Sequence, residues 1–126
     1  MNPFGHMDIR VTSMETCLPF YEKLLPALGF TRTFHSRDWR AFAADGDLPS
    51  AAYLALTEDA GHTPNANCVG FWAPDPAAVD RLAALVTENG GTITEGPGKL
   101  PISPSYYAMF FDDPCGNHYE YTYRVD

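Results

Sequence analysis

The chain has 126 residues, of which 45% are hydrophobic, and its 16 acidic and 8 basic residues give a net charge of −8. This length allows one domain with a substantial core. The acidic charge would repel a phosphate backbone, so nucleic acid is not an expected partner. The longest apolar stretches fall far short of the ~20 residues that a membrane-spanning helix needs, so no membrane partner is expected.

The cysteine content indicates a reducing compartment. The three cysteines, Cys17, Cys68 and Cys115, are sparse and odd in number, so they do not suggest a disulfide framework. The opening segment MNPFGHMDIRV has no basic region followed by an apolar run, which is the pattern of a secretion signal. We therefore expect a cytoplasmic location.

An internal repeat is the most informative pattern in the chain. One copy opens with HMDIRV at His6 and its helix stops at Leu28-Gly29, and the second opens with CVGFWA at Cys68 and its helix stops at Gly90-Gly91. The two openings are as far apart as the two stops. Such a duplication predicts a pseudo-twofold domain, which usually places its ligand site where the halves meet.

The first copy is predicted to be a strand, a helix and three more strands. Apolar and polar residues alternate over 6–12, which indicates a half-buried strand. Ser13 is a candidate helix cap, but Pro19 is tolerated best in a first turn, so the regular helix is expected to begin near Cys17. Gly29 is the expected stop. The following strands are predicted over residues 31–35, 39–43 and 51–56.

The second copy repeats this order after a polar linker. Asp75 caps a predicted helix with Pro76 in its first turn, and a glycine pair ends it. A short strand over 92–94 and an irregular loop over 96–105 come next, then strands over 106–112 and 118–124 joined by a turn. We expect one domain made of a first module at about 5–57, a linker at 58–66 and a second module at about 67–125.

The last predicted strand carries an unusual carboxylate. Strict alternation places Tyr119, Tyr121 and Tyr123 on one face and Glu120 on the other, with His118 and Thr122. A glutamate on the inward face of a sheet is rare unless it is paired or bound to a metal. Glu120 is therefore a candidate metal ligand and a candidate general base.

The chain resembles the vicinal oxygen chelate superfamily, which includes glyoxalase I, bleomycin-resistance proteins, fosfomycin-resistance transferases and extradiol dioxygenases. The residues that carry the resemblance are His6 with MDIRV, the segments 19–30 and 68–82, and DPCGNHYE at 113–120. It implies an α+β fold of two pseudo-symmetric βαβββ modules. Their curled mixed sheets would form a cup with the helices outside.

The resemblance also implies a site for a divalent ion on the first and last strands of each module. The matching positions here are His6, Ala55, Cys68 and Glu120. Ala55 can coordinate nothing, and Cys68 stands in place of a histidine. Cysteine, histidine and glutamate together can bind metals such as Zn²⁺ or Fe²⁺. Two expectations remain open: one bound Zn²⁺, Ni²⁺, Mn²⁺ or Fe²⁺, or no metal at all.

Further residues are candidates for ligand binding. Tyr53 and Trp72 project by alternation onto the predicted cup side, where aromatic side chains would line a cavity. Arg10 lies on the inward face of the first strand, where it would contact a ligand or pair with Glu120. Tyr106 and Tyr107 follow the irregular loop, and the sequence does not decide which points inward. Tyr107 is the assigned candidate.

Two functions are consistent with these residues. The first is a binding protein that holds a small organic molecule in the cup with a degenerate metal site. The alternative is a metal-dependent lyase, isomerase or dioxygenase of lactoylglutathione-lyase type that uses His6 and Glu120. A homodimer is also expected, because proteins of this kind pair modules within one chain or exchange them between two.

Overall fold

The computed structural model describes residues 3–36, 38–46 and 51–126. The chain divides into two units, Met1–Thr63 and Pro64–Asp126, which we call module one and module two. Each module has the order βαβββ. The predicted α+β class with two βαβββ modules is thus confirmed.

Module one contains a four-stranded mixed sheet with one helix. Its elements are β1 (His6–Val11), α1 (Met14–Ala27), β2 (Phe30–His35), β3 (Trp39–Ala44) and β4 (Tyr53–Glu58). The strand order is β1-β4-β3-β2, in which β1 runs parallel to β4 and the other neighbours are antiparallel. The first and last strands of the module are therefore adjacent.

Helix α1 begins earlier than predicted. Ser13 caps it by accepting a hydrogen bond from the backbone N–H of Thr16, and Pro19 and Pro26 both lie within it. A proline removes one backbone hydrogen bond from a helix interior, which costs about 3 kcal/mol. The buried face of the helix, which includes Phe20 and Leu24, offsets this cost, since a fully buried side chain of that size contributes about 1.5–3 kcal/mol.

Module two repeats the architecture. Its elements are β5 (Cys68–Trp72), α2 (Pro76–Glu88), β6 (Thr92–Lys99), β7 (Tyr107–Asp112) and β8 (His118–Tyr123). The strand order is β5-β8-β7-β6, with β5 parallel to β8. Helix α2 is capped by the side chain of Asp75, as predicted, and packs against β6, β7 and β8. Phe71, Tyr119 and Phe111 stack in a row, and Tyr119 and Phe111 are buried in the core of this module.

Strand β6 is longer than the sequence indicates. It continues through Gly96, Pro97 and Gly98 to Lys99, where an irregular loop was predicted, and its pairing with β7 shifts register twice. Gly96 has a φ of +79°, and a Cβ built on it would lie only 2.5 Å from the carbonyl oxygen of Ala108. Only glycine accepts this backbone conformation and this close approach, so any other residue at position 96 would disrupt the strand.

Neither helix of the described residues is long and apolar enough to cross a membrane.

Candidate ligand-binding site in module two

Strand β8 packs into the core through one face and carries polar side chains on the other. Tyr119 and Tyr121 are buried, whereas Glu120 points from the opposite face of the strand and is partly exposed. In the register of the sheet, Glu120 lies beside Gly70 of β5 on one side and Phe110 of β7 on the other. The alternation predicted for this strand therefore places the carboxylate on the face away from the buried tyrosines.

Two hydroxyl groups hold the Glu120 carboxylate. Thr122 donates a hydrogen bond to Oε2 at 2.6 Å, and the Tyr106 hydroxyl donates a short hydrogen bond to the same oxygen. Burial raises the pKa of Tyr106, and its hydrogen bond to Glu120 raises that pKa further. The phenol therefore keeps its proton at neutral pH and remains a donor, which fixes the orientation of the carboxylate.

The second oxygen of Glu120 is available to a ligand. Within the described ranges no donor bonds Oε1. The neighbouring position carries Gly70, and a Cβ there would lie 4.0 Å from Oε1, in ordinary contact. With glycine at this position the space beside Oε1 is open. One carboxylate oxygen is thus saturated, and the other remains an acceptor at an exposed surface.

A pocket of about 340 Å³ opens over this carboxylate. Its volume lies at the lower end of the range of about 300–1,000 Å³ that is typical of small-molecule sites. Trp72 is 71% exposed, which is unusual for so large an apolar side chain. The residues that line the pocket come from β5, β8, the loop before β7 and the segment after β8, and they are Gly70, Phe71, Trp72, Ile102, Tyr106, Glu120, Thr122 and Arg124.

Arg124 provides a positive charge in the lining of this pocket. The carbon of its guanidinium group lies 5.7 Å from the centre of the Trp72 ring, within the range of a cation–π contact. The salt bridges found among the described residues, His6–Asp8 and His118–Asp112, do not include Arg124. The guanidinium group therefore has no carboxylate partner in that part of the chain.

Cys68 lies on β5, beside His118 in the parallel register. Partial burial raises the pKa of its thiol, and the negative charges of Glu120 and Asp112 raise it further. The Nδ1 atom of His118 lies 2.6 Å from an oxygen of Asp112. Without a metal ion the thiol is therefore mainly protonated at neutral pH, which makes it a weak nucleophile.

This environment predicts how fast Cys68 is alkylated. In Glu120→Gln a negative charge that raises the thiol pKa is lost, so more thiolate forms at a given pH. We expect iodoacetamide to modify Cys68 roughly two- to fivefold faster at pH 8 in this variant. Mass spectrometry of the Cys68 peptide measures the rate separately from Cys17 and Cys115. Glu88→Gln, at the exposed end of α2, removes the same charge and serves as the control. An equal increase in both variants would contradict the assignment.

The predicted site residues of module one share one face of its sheet. His6 stacks on Tyr53, with ring centres 4.8 Å apart and planes 7° from parallel, and its Nε2 atom lies 3.6 Å from Asp8. Arg10 projects from the same face of β1 and is exposed. Ala55 is buried beside Asp8 in the register, so β4 brings no metal-ligating side chain to this position.

The two tyrosines after the loop have different environments. The Tyr107 hydroxyl donates a hydrogen bond to Asp80 of helix α2 at 2.7 Å, so Tyr107 lies on the helix side, and Tyr106 contacts Glu120. The register explains this, since Tyr107 pairs with Tyr123, which shares its face with the buried tyrosines of β8. Tyr106, Thr122 and Arg124 were not assigned from the sequence. Continuing the alternation from Glu120 would have indicated the latter two.

Within the residues that the structure describes, neither module by itself gathers a set of metal-ligating side chains. In residues 3–36, 38–46 and 51–126 no group of three or more His, Cys, Asp or Glu side chains is arranged to hold a divalent ion. Of the four positions predicted from the resemblance, Ala55 has no donor atom, which leaves His6, Cys68 and Glu120 as possible ligands. Two hydroxyl groups already occupy one oxygen of Glu120.

The chain belongs to the glyoxalase/bleomycin resistance protein/dioxygenase superfamily. The family model matches residues 4–121, which is nearly the whole chain. This confirms the resemblance inferred from the sequence. No curated protein matches the chain.

Solved structures share the fold over almost their full length. A glyoxalase/bleomycin resistance protein from Albidiferax ferrireducens T118 is 25% identical, with a TM-score of 0.76 over 97% of this chain and 98% of that one. The fosfomycin resistance protein FosX from Mesorhizobium loti is 17% identical, with a TM-score of 0.70 over 99% and 94%. A variant of FosX from Listeria monocytogenes, in complex with Mn(II) and a dihydroxypropylphosphonic acid, is 14% identical, with a TM-score of 0.70 over 96% and 89%.

Proposed function

We propose that this protein binds a small organic molecule in the pocket of module two and that its metal site is degenerate. The observation that carries the proposal is the pairing of an exposed aromatic wall with an oriented carboxylate oxygen, Trp72 with Oε1 of Glu120, in one pocket of about 340 Å³. Mostly apolar walls with a few placed polar groups are the usual composition of small-molecule sites. Arg10 and Tyr53, on module one, are proposed as further ligand contacts.

The two parts of the pocket contribute differently to binding. A planar ring on Trp72 gains about 0.5–1.5 kcal/mol from stacking beyond the effect of buried area. A donor on Oε1 of Glu120 makes a hydrogen bond to a charged group, which contributes about 1.5–3 kcal/mol where it is shielded from water and less where it is exposed. Because Tyr106 and Thr122 hold the carboxylate in place, little orientational freedom is lost when a ligand binds.

The indole N–H signals in a two-dimensional NMR spectrum test the proposal. The chain has two tryptophans, Trp39 and Trp72, and Trp39→Phe assigns their signals. Titration with benzylamine should shift the Trp72 signal saturably and leave the Trp39 signal in place. Glu120→Gln should weaken this binding about tenfold, which corresponds to one hydrogen bond of about 1.4 kcal/mol. An unchanged Trp72 signal, or equal shifts of both signals, would contradict the proposal.

A second candidate function is a metal-dependent lyase, isomerase or dioxygenase that uses His6 and Glu120. Support for it comes from the superfamily, where the FosX variant from Listeria monocytogenes carries Mn(II), and from the available oxygen of Glu120, which can accept a proton. The donor set described above argues for the first candidate. Elemental analysis of tag-free protein after incubation with Zn²⁺, Ni²⁺, Mn²⁺ or Fe²⁺ decides between them. Uptake of about one ion per chain that is lost in Glu120→Ala would favour the enzyme.

The homodimer and the cytoplasmic location remain predictions. Light scattering in solution tests the first.

A further inference from the structure

The pocket of module two contains two opposite charges that have no ion-pair partner among the residues that the structure describes. Glu120 keeps its Oε1 free of donors, and Arg124 makes no salt bridge within the described residues. Both line the same pocket. Charged groups that lie beside apolar walls are stabilised by a partner of opposite charge. A ligand with one positive and one negative group would therefore make a favourable interaction with each of the two residues.

Both charged groups lie in the lining of one pocket of small-molecule size. Glu120 and Arg124 are four residues apart, and in an extended chain this separation puts two Cα atoms roughly 13 Å apart. The Arg124 guanidinium group lies over the ring of Trp72, whose register partner, Thr122, is two residues from Glu120. Burial raises the pKa of Tyr106, Glu120 raises it further and Arg124 lowers it, so both charges act on this hydroxyl group.

We infer that the pocket selects a small zwitterion, with an amine that donates to Glu120, a carboxylate that pairs with Arg124 and a flat body against Trp72. The inference rests on the proposed function and names its ligand class. The net charge of −8 makes the inference more specific. A chain of this charge attracts any cation and repels any anion, but it gives a molecule of zero net charge no such advantage. Preference for a zwitterion must therefore come from the pocket itself.

Four probes that share a benzyl or phenyl body test the inference: 4-(aminomethyl)benzoate, benzylamine, benzoate and benzyl alcohol. Dissociation constants come from the Trp72 indole signal. We expect 4-(aminomethyl)benzoate to bind about tenfold more tightly than benzylamine. The difference in affinity between 4-(aminomethyl)benzoate and benzoate should be larger still. In Arg124→Gln the ratio between the zwitterion and benzylamine should fall to about one. In Arg124→Lys, which keeps the charge, part of the ratio should return.

Arg81→Gln is the matched control, because it removes one positive charge from the exposed face of helix α2. It should leave the ratio near the wild-type value. If benzylamine binds as tightly as the zwitterion in the wild type, the inference is overturned and the proposed function stands. If the ratio survives in Arg124→Gln, or falls equally in Arg81→Gln, the assignment to Arg124 is wrong. If no probe moves the Trp72 signal, the inference and the proposed function both fail.

Discussion

Gly96→Ala should lower the free energy of unfolding by about 3–5 kcal/mol. A Cβ at this position would lie 2.5 Å from the carbonyl oxygen of Ala108 and 3.1 Å from the Cα atom of Met109. Both are backbone atoms in the middle of the sheet, so they cannot move aside as a flexible side chain would. The φ of +79° adds the strain of a left-handed backbone at a residue other than glycine. Strain and overpacking each contribute about 1–3 kcal/mol.

Gly98→Ala, two residues further along the same strand, provides the control. A Cβ there has nothing within 4 Å, and its φ lies outside the left-handed region. We expect a change below about 1 kcal/mol in this variant. Urea denaturation followed by circular dichroism measures both. Equal effects in the two variants would mean that β6 does not pass Ala108 as closely as described. A shifted β6 should also disturb Tyr106 and hence the Trp72 indole signal.

Asp113→Ala should have a comparable effect, about 3–5 kcal/mol, for a different reason. Asp113 is only 3% exposed and lies at the turn between β7 and β8. Its Oδ1 accepts hydrogen bonds from the backbone N–H groups of Cys115 and Asn117, both at 2.9 Å, and its Oδ2 accepts one from the Asn117 side chain at 2.8 Å. Alanine would remove the acceptor of these three part-buried hydrogen bonds, and the loss of a buried acceptor costs about 1–3 kcal/mol for each donor that finds no other partner.

Thermal unfolding measures the effect of Asp113→Ala, and the melting temperature should fall by roughly 15 °C, at ~4 °C for each kcal/mol in a domain of this size. Asp59→Ala is a suitable comparison, since this exposed carboxylate also accepts a backbone hydrogen bond, from Gly61 at 3.0 Å. It should cost less than about 1 kcal/mol. A fall of only one or two degrees in Asp113→Ala would show that water replaces the lost acceptor, and the turn would then be far less important for β8.

The sequence alone was sufficient to predict the two βαβββ modules, because the repeat depends on local features with strong physical constraints. Alternation defines β1 and β8, and the helix stops lie at glycines with positive φ, Gly29 and Gly90. The same alternation places Glu120 opposite the tyrosines of β8 without any knowledge of the tertiary structure. Caps at Ser13 and Asp75 were predicted for the same reason, since each depends on a side chain three residues from its backbone partner.

Features that depend on distant contacts could not be predicted. The start of α1 was misplaced because the cost of Pro19 was weighed without the buried helix face that offsets it. The end of β6 was missed because a Gly-Pro-Gly segment resembles a loop unless its partner strand is known. The choice between Tyr106 and Tyr107 depends on the register of β7 with β8. The sequence does not predict this register, because β7 also pairs with β6 and that pairing shifts twice.

The two modules carry the acidic residue of their central register pair on different strands. In module one the first strand contributes Asp8 and the last strand contributes Ala55, whereas in module two the first strand contributes Gly70 and the last contributes Glu120. Each pair combines one acid with one small neighbour, but the acid has changed strands. A duplicated scaffold thus allows its halves to specialise separately, because one half can give up a reactive group while the other retains it and the shared architecture tolerates both. Giving module two the pair of module one, with Gly70→Asp and Glu120→Ala, would move the acid of module two from β8 to the neighbouring strand β5 and offers a route to engineered ligand preference.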